Sequence, residues 1–261
     1  MSHDRVLTEI RDHVGVLTLN RPAVHNAIDL PMIRSLEEAF LGLDRDPGVR
    51  VIVITGAGEK SFMAGGDIAD LESRRGLAHY LEFAETVHRA FRHFEISDKP
   101  NICAINGYAF GGGMELMLAT DIRVMADTAR IGLTEIQLGL FPGGGGTQRL
   151  PRQIAPCVAS ELMFTGRHVG AEEALRLGLV NRVVPRDAVM AEALRLAAEI
   201  AAKSPLVLKL LKRTIREGRD MPISAGLAHE RSMIALVLDA EDAHEGCRAF
   251  LEKRPARFEG R

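Results

Sequence analysis

Ile102-Cys103-Ala104-Ile105, then the glycine-bearing stretch Gly107 to Gly113, then Met114-Glu115-Leu116-Met117-Leu118-Ala119, give a strand, a turn and the start of a helix in close succession. A short apolar run bounded by turn residues reads as a strand covered on both faces. Val51-Ile52-Val53-Ile54, flanked by Arg50 and Gly56, has the same character. Ile122 to Ala126 is a third such segment, followed by a short extended piece from Arg130 to Leu133. Helical patterns lie between these strands, so the order of elements predicts a layered α/β domain.

Upstream, Leu7 to Ile10 and Val14 to Leu19 read as an opening hairpin that Asn20-Arg21-Pro22 ends, because proline cannot donate to a ladder. Asp29 is placed to cap a helix from about Pro31 to Leu43, with Ile33, Leu36, Phe40 and Leu43 on one face. From Ala171 onward the pattern becomes helix after helix, interrupted by Val180 to Val184 and punctuated by Pro185, Ser204-Pro205 and Met221-Pro222. The stripes at Ala188 to Ala202, Leu206 to Glu217, Ile223 to Leu238 and Glu241 to Glu252 need a partner surface, part of which another subunit can supply.

Length and composition suit one large domain or one domain plus an appendage: 261 residues, 46% hydrophobic and 26% charged. A formal charge of −2 offers no strong field toward nucleic acid or an acidic membrane, so any basic site must be local. Cys103, Cys157 and Cys247 are far apart and show no metal-ligand spacing, which fits a reducing cytoplasm and argues against disulfides or zinc. Met1 to Arg11 lacks the long apolar run of a leader, and no stretch approaches the length of a membrane span.

The chemistry concentrates around glycine. Phe62-Met63-Ala64-Gly65-Gly66-Asp67-Ile68 and Gly111-Gly112-Gly113 each follow a strand and precede a helical pattern. Such turns can present backbone amides that converge on an oxyanion, helped by the partial positive charge of a helix start. Each run alone also reads as a tight turn or a packing site. A nucleotide cradle is the competing functional reading, but neither Gly111–Gly113 nor Gly143–Gly146 leads into Gly-Lys-Ser/Thr, and the dinucleotide spacing fails too.

Glu115 sits directly after the first glycine run, and Glu135 precedes the second, Pro142-Gly143-Gly144-Gly145-Gly146-Thr147-Gln148-Arg149-Leu150. Singly, Glu115 reads as a helix-start charge and Glu135 as a solvated turn residue. Both beside anion-binding turns point to general acid/base chemistry, with the first charge disfavouring the second ionisation. His25, His79, His88 and His93 form no ligand-like cluster and read as surface histidines. Asp67 reads as the cap of the helix after it, and Arg149 as a tie on the glycine loop.

Asn20-Arg21-Pro22 with Asn26-Ala27, Ala64-Gly65-Gly66-Asp67, Gly111 to Glu115, and Glu135 through Leu150 together resemble the crotonase superfamily, most nearly its enoyl-CoA hydratases. The match is collinear over nearly the whole chain, through Phe250 to Pro255 and Phe258. The resemblance implies an α/β fold, a spiral of ββα units over residues 1–195 followed by a helical trimerisation region over 196–261. It implies an acyl-CoA thioester substrate, a homotrimer or homohexamer, and neither nucleic-acid nor membrane partners. No metal or redox cofactor is implied, coenzyme A being part of the substrate.

By the same resemblance Gly66 and Gly112 supply the oxyanion hole, and Glu115 and Glu135 are the catalytic carboxylates. Ala27, Ala64, Gly65, Asp67, Ile68, Gly111, Phe141, Gly143 and Lys253 are implied to contact substrate, Lys253 with Arg254 and Arg257 across a subunit boundary at the coenzyme A phosphates. The acyl pocket falls in Leu71 to Phe94 and at Phe141. Rival readings are another acyl-CoA reaction on the same fold, such as isomerisation or thioester hydrolysis, and a non-catalytic trimer that binds coenzyme A or RNA.

Overall fold

In the computed structural model, which describes residues 5–73 and 75–261, the chain opens with an antiparallel hairpin of β1 (Val6–Arg11) and β2 (Val14–Leu19). Its two-residue turn places Asp12 and His13 at φ 43° and 71°, the left-handed pair that matches the twist of a hairpin. The reading of the N-terminus as free of a leader falls partly on residues 1–4, outside those described. Asp29 then caps α1 (Leu30–Arg45), its Oδ1 accepting the Met32 N–H at 2.8 Å, and Ile33, Leu36, Phe40 and Leu43 are buried as their spacing predicts.

From here the chain repeats one operation: a strand in a large sheet, a strand in a small sheet, then helix. The first pass is β3 (Val51–Gly56), β4 (Ser61–Met63), α2 (Ile68–Ser73) and α3 (Leu77–Ile96). The second is β5 (Asn101–Ile105), β6 (Tyr108–Phe110) and α4 (Gly112–Leu118). The third is β7 (Ile122–Ala126), β8 (Arg130–Gly132), a 3-10 turn at Glu135–Leu138, α5 (Gly146–Arg149) and α6 (Pro156–Thr165). Then β9 (Val169–Gly170) joins the small sheet, α7 (Ala171–Arg176) follows, and β10 (Arg182–Val184) closes the large one.

The large sheet runs β1-β2-β3-β5-β7-β10, parallel from β2 onward, and the small one β4-β6-β8-β9. This is the expected spiral of ββα units. Val51 to Ile54 and Ile102 to Ile105 are fully buried, as continuous apolar runs in a covered parallel sheet require. One face is covered by α8 (Val189–Ala201), which packs on β3, β5 and β7. The expected 195/196 division therefore falls inside α8. Three further helices end the chain: α9 (Pro205–Gly218), α10 (Ile223–Leu238) and α11 (Glu241–Leu251).

Candidate active site

β4 and β6 are parallel neighbours, so the turns leaving their C-terminal ends emerge side by side. A methyl group added to Gly65 would lie 3.5 Å from the Gly112 nitrogen. Ile28 bridges the first turn, donating to Gly65 O at 2.7 Å and accepting from Asp67 N at 2.8 Å. Residues 65 and 67 carry those bonds, so the N–H of Gly66 faces away from Ile28. Gly112 opens α4, where first-turn N–H groups have no partner within the helix. Gly113 lets α4 lie against β4, since a methyl there would sit 2.0 Å from Met63 O. Two neighbouring main-chain donors at open turns are the elements from which a site for developing negative charge is made.

The carboxylates close on the same place. Glu115, one turn into α4, is only 3% exposed, and its Oε1 accepts from Gly144 N at 2.7 Å and Gly146 N at 2.8 Å. Burial pushes its carboxyl up, and those two N–H donors work against the rise. Glu135 begins the 3-10 turn, and a methyl on Gly111 would lie 3.2 Å from its Oε1. Its Oε2 is buried and, among the described residues, has no hydrogen-bond partner. Burial first and the charge of Glu115 second push Glu135 up to about 7. The pair therefore holds one carboxylate fixed by amides and a second poised to carry a proton near neutrality.

Apolar groups wall this centre and cause the desolvation. Leu71 Cδ1 would lie 3.0 Å from a methyl on Gly66, Ile28 Cδ1 3.1 Å from one on Gly112, and Val87 Cγ1 3.1 Å from one on Gly144. Arg149 fixes the glycine loop as its position predicts, donating to Gly144 O at 2.9 Å while its fork grips Glu95 at 2.7 and 3.2 Å. Asp67 also does what was expected: its Oδ1 accepts the Asp70 N–H at 3.4 Å, and Arg21 holds its other oxygen at 3.1 Å.

The structure thus gathers Gly65, Gly66, Gly111, Gly112, Glu115 and Glu135 into one cluster. Ala27 and Ala64 sit beside it, Ala27 O accepting from Arg21 and Ala64 N donating to His25 O at 3.0 Å. Ile68, which opens α2 after the Gly66 turn, and Phe141, just before the glycine loop, are 52% and 72% exposed, and Gly143 is an exposed residue of that loop. Lys253 is the residue expected to act across a subunit boundary. That residue is exposed just past α11, in a C-terminal segment whose Phe258 O accepts from Arg50 at the start of β3. Arg254 is already forked onto Glu245 at 2.7 and 2.9 Å.

Two histidines depart from the surface reading. His93 is half-buried and pairs through Nε2 with Glu37 Oε1 at 3.1 Å, and His79 has a buried Nε2. Sequence reasoning also left Asn26 without a role of its own. It is fully buried, donating to the carbonyls of Ala57, Ser61 and Phe62 at 3.0–3.1 Å and accepting the Arg21 N–H at 2.8 Å, which ties the β4 turn to the hairpin. The resemblance rests in part on Asn26-Ala27, but it gave Asn26 no task, and Arg21-Pro22 marked only the turn.

A cavity of about 520 Å³ opens elsewhere, against Arg50, Lys99 and Pro100 at the N-terminal ends of β3 and β5. Its cations are spoken for: Asp98 pairs with Arg213 and Lys209, and Lys99 donates to Leu43 O and Asp46 O. The carboxylates are the better guide to chemistry.

Compared with known proteins, residues 9–261 match the family model described as enoyl-CoA hydratase/isomerase. Crotonyl-CoA hydratase of Syntrophomonas wolfei is 38% identical over 258 residues, covering 99% of both chains. Carnitinyl-CoA dehydratase of Citrobacter koseri is 43% identical over 249 residues, 94% of both. The crystal structure of an enoyl-CoA hydratase from Bacillus anthracis superposes with a TM-score of 0.95 at 36% identity, over 98% of this chain and 100% of that one.

Proposed function

The chain belongs to the enoyl-CoA hydratase/isomerase family, and from that premise we propose that it adds water reversibly across the 2,3-double bond of a 2-enoyl-CoA. One observation carries the reading: the buried carboxylate of Glu115 and the half-buried one of Glu135, the latter raised to about 7 by its surroundings and by the former, flank adjacent turns with open main-chain donors. A single acid/base suffices to shift a double bond. Hydration needs one group to take a proton from water and one to deliver a proton to carbon, and two are here.

The thioester oxygen lies between the N–H groups of Gly66 and Gly112, which stabilise the enolate-like charge that builds there as water attacks. One such donor is commonly worth ~100- to 1000-fold in rate. Glu115, held by Gly144 and Gly146 through Oε1, keeps Oε2 for the water and takes its proton as oxygen bonds to the β-carbon. Glu135, protonated at neutrality, gives its proton to the α-carbon. Bonds broken and formed balance without any change in oxidation state, so the reaction draws on no redox cofactor, and coenzyme A enters and leaves with the substrate. The cavity of about 370 Å³ lined by Pro22, His25, Asn26, Ala57 and Lys60 adjoins the Ala64 turn and suits the coenzyme A arm.

Purified protein given crotonyl-CoA is expected to deplete the conjugated-enoyl absorbance and yield the 3-hydroxyacyl thioester. A silent assay across short, long and branched enoyl-CoAs would sink the reading. The pH profile follows from Glu135. Hydration needs its acid form, so kcat/KM falls as pH rises through about 7. Hydration takes up and releases no net proton, so dehydration of the 3-hydroxyacyl-CoA, which starts from the same singly protonated pair with the proton on Glu115, follows the same kcat/KM profile; a hydration profile that stays flat through pH 7 would refute the assignment.

Assembly as a homotrimer or a dimer of trimers belongs to the same proposal. It is supported by α10, sixteen residues with none buried, and by Ile223, Phe250 and Leu251, which are 79–83% exposed. Apolar helix faces of this extent call for a covering surface. Sedimentation of the purified protein distinguishes trimer, hexamer and monomer. Three free cysteines support a reducing cytoplasm, and no helix among the described residues is long and apolar enough to cross a membrane.

A further inference from the structure

α3 meets the reacting centre at Val87, whose Cγ1 lies 3.1 Å from a methyl placed on Gly144, a methyl that would also lie 2.5 Å from Glu115 Oε2. Toward the C-terminus the same helix face is sealed in the core by Ala90, Phe91 and Phe94, all fully buried. An acyl chain that leaves the double bond beside Val87 can follow this helix only toward its N-terminal turns. There Phe83 is half-buried, and four residues earlier comes His79, tilted against the Phe83 ring at 6.5 Å between centroids. Positions 79, 83 and 87 share one face, and His79 stands roughly 12 Å along the axis from Val87.

His79 Nε2 is buried and has no hydrogen-bond partner among the described residues. On a helix face otherwise made of Phe83 and Val87, with the Tyr80 ring beside it, that buried polar atom is out of character. A plain alkyl chain laid across it would leave it dry and unpaired, whereas an oxygen on the chain would satisfy it. We infer that the acyl group of the substrate carries an oxygen function near its far end, and that His79 Nε2 is its hydrogen-bond partner. His79 is a specificity residue, remote from the reacting carbons. The inference rests on the hydratase reading above.

The test compares kcat/KM for hexenoyl- to decenoyl-CoA with that for their terminally hydroxylated counterparts, in wild type, His79→Phe and His79→Gln, with crotonyl-CoA as a substrate too short to reach. Wild type is expected to favour the hydroxylated member of at least one matched pair by roughly 5- to 150-fold, the range of an unpaired buried polar group. His79→Phe is expected to abolish the preference and His79→Gln to retain part of it, while crotonyl-CoA turnover stays the same in all three. Wild-type turnover of crotonyl-CoA with no preference at any length overturns this inference alone, and needs no variant to fold. A preference that persists in His79→Phe overturns it too. Failure to hydrate crotonyl-CoA or any longer member overturns the hydratase reading and takes the inference with it.

Discussion

Glu115→Gln and Glu135→Gln are each expected to lower turnover of crotonyl-CoA by on the order of 100- to 10,000-fold while acyl-CoA binding stays within a few-fold of wild type. Glutamine at 115 keeps the fold because both loop donors, Gly144 N and Gly146 N, converge on the single oxygen Oε1. An amide oxygen can fill that role. Its nitrogen takes the place of Oε2, the atom that faces the water, and cannot accept the proton. At 135 the loss is of the opposite kind, since glutamine cannot release a proton to the α-carbon. Single-turnover kinetics with calorimetric binding separates chemistry from affinity. Wild-type rates in both variants would remove the mechanism.

The same Glu135 variant has a stability signature that a simple surface change would lack. Burial raises the folded-state acid from 4.5 to about 7, so the native state holds its proton more tightly than the unfolded chain does. Ionisation between those values costs stability: nothing is lost well below 4.5, and the full cost is present above 7. Glu135→Gln removes that cost and is expected to be more stable than wild type at pH 8 by on the order of 2 kcal/mol, with the gain vanishing near pH 4. A catalytic acid bought at the expense of stability is the pattern expected of an active site.

Much of this was legible in the chain because the large sheet writes itself in continuous apolar runs. Val51 to Ile54 and Ile102 to Ile105 need no context to be read as covered strands, and Asp29 announces α1 through its own side chain. The small sheet was less visible. Ser61–Met63, Tyr108–Phe110 and Arg130–Gly132 are three residues each, too short for any period to show, and two of them lay inside what read as glycine turns. That sheet is nonetheless what sets Gly66 beside Gly112. Both glutamates could be picked out by their glycine neighbours, but the bonds from Gly144 and Gly146 to Glu115 span about thirty residues of sequence, a distance over which no local pattern operates. Glu95 with Arg149, Asn26, and the inward aspect of His79 are likewise products of tertiary packing on residues that look solvated when read one at a time.

Gly144→Ala carries the second large effect, and it acts without replacing a titratable group. The added methyl would lie 2.5 Å from Glu115 Oε2, 3.1 Å from its Cδ and 3.1 Å from Val87 Cγ1. The first contact is closer than a real Cβ tolerates, so something must move. The loop is anchored on one side by Arg149, which holds Gly144 O and is itself gripped by Glu95, and α4 is pressed on β4 at Gly113. With the backbone held on both sides, the carboxylate yields. Misplacing a catalytic group by about 1 Å is worth on the order of 100-fold in rate, and that is the loss expected in kcat. Gly143→Ala, one residue earlier on the loop, adds a methyl that meets only Phe141 O at 3.7 Å, ordinary contact, and is expected to lose at least ten-fold less. Equal losses in the two variants would mean that loop mobility, rather than the seat of Glu115, governs the rate. Because the charge of Glu115 helps raise Glu135, a Glu115 carboxylate pushed away from it should let the Gly144→Ala profile for hydration fall at lower pH than wild type, a shift that loop mobility alone would not produce.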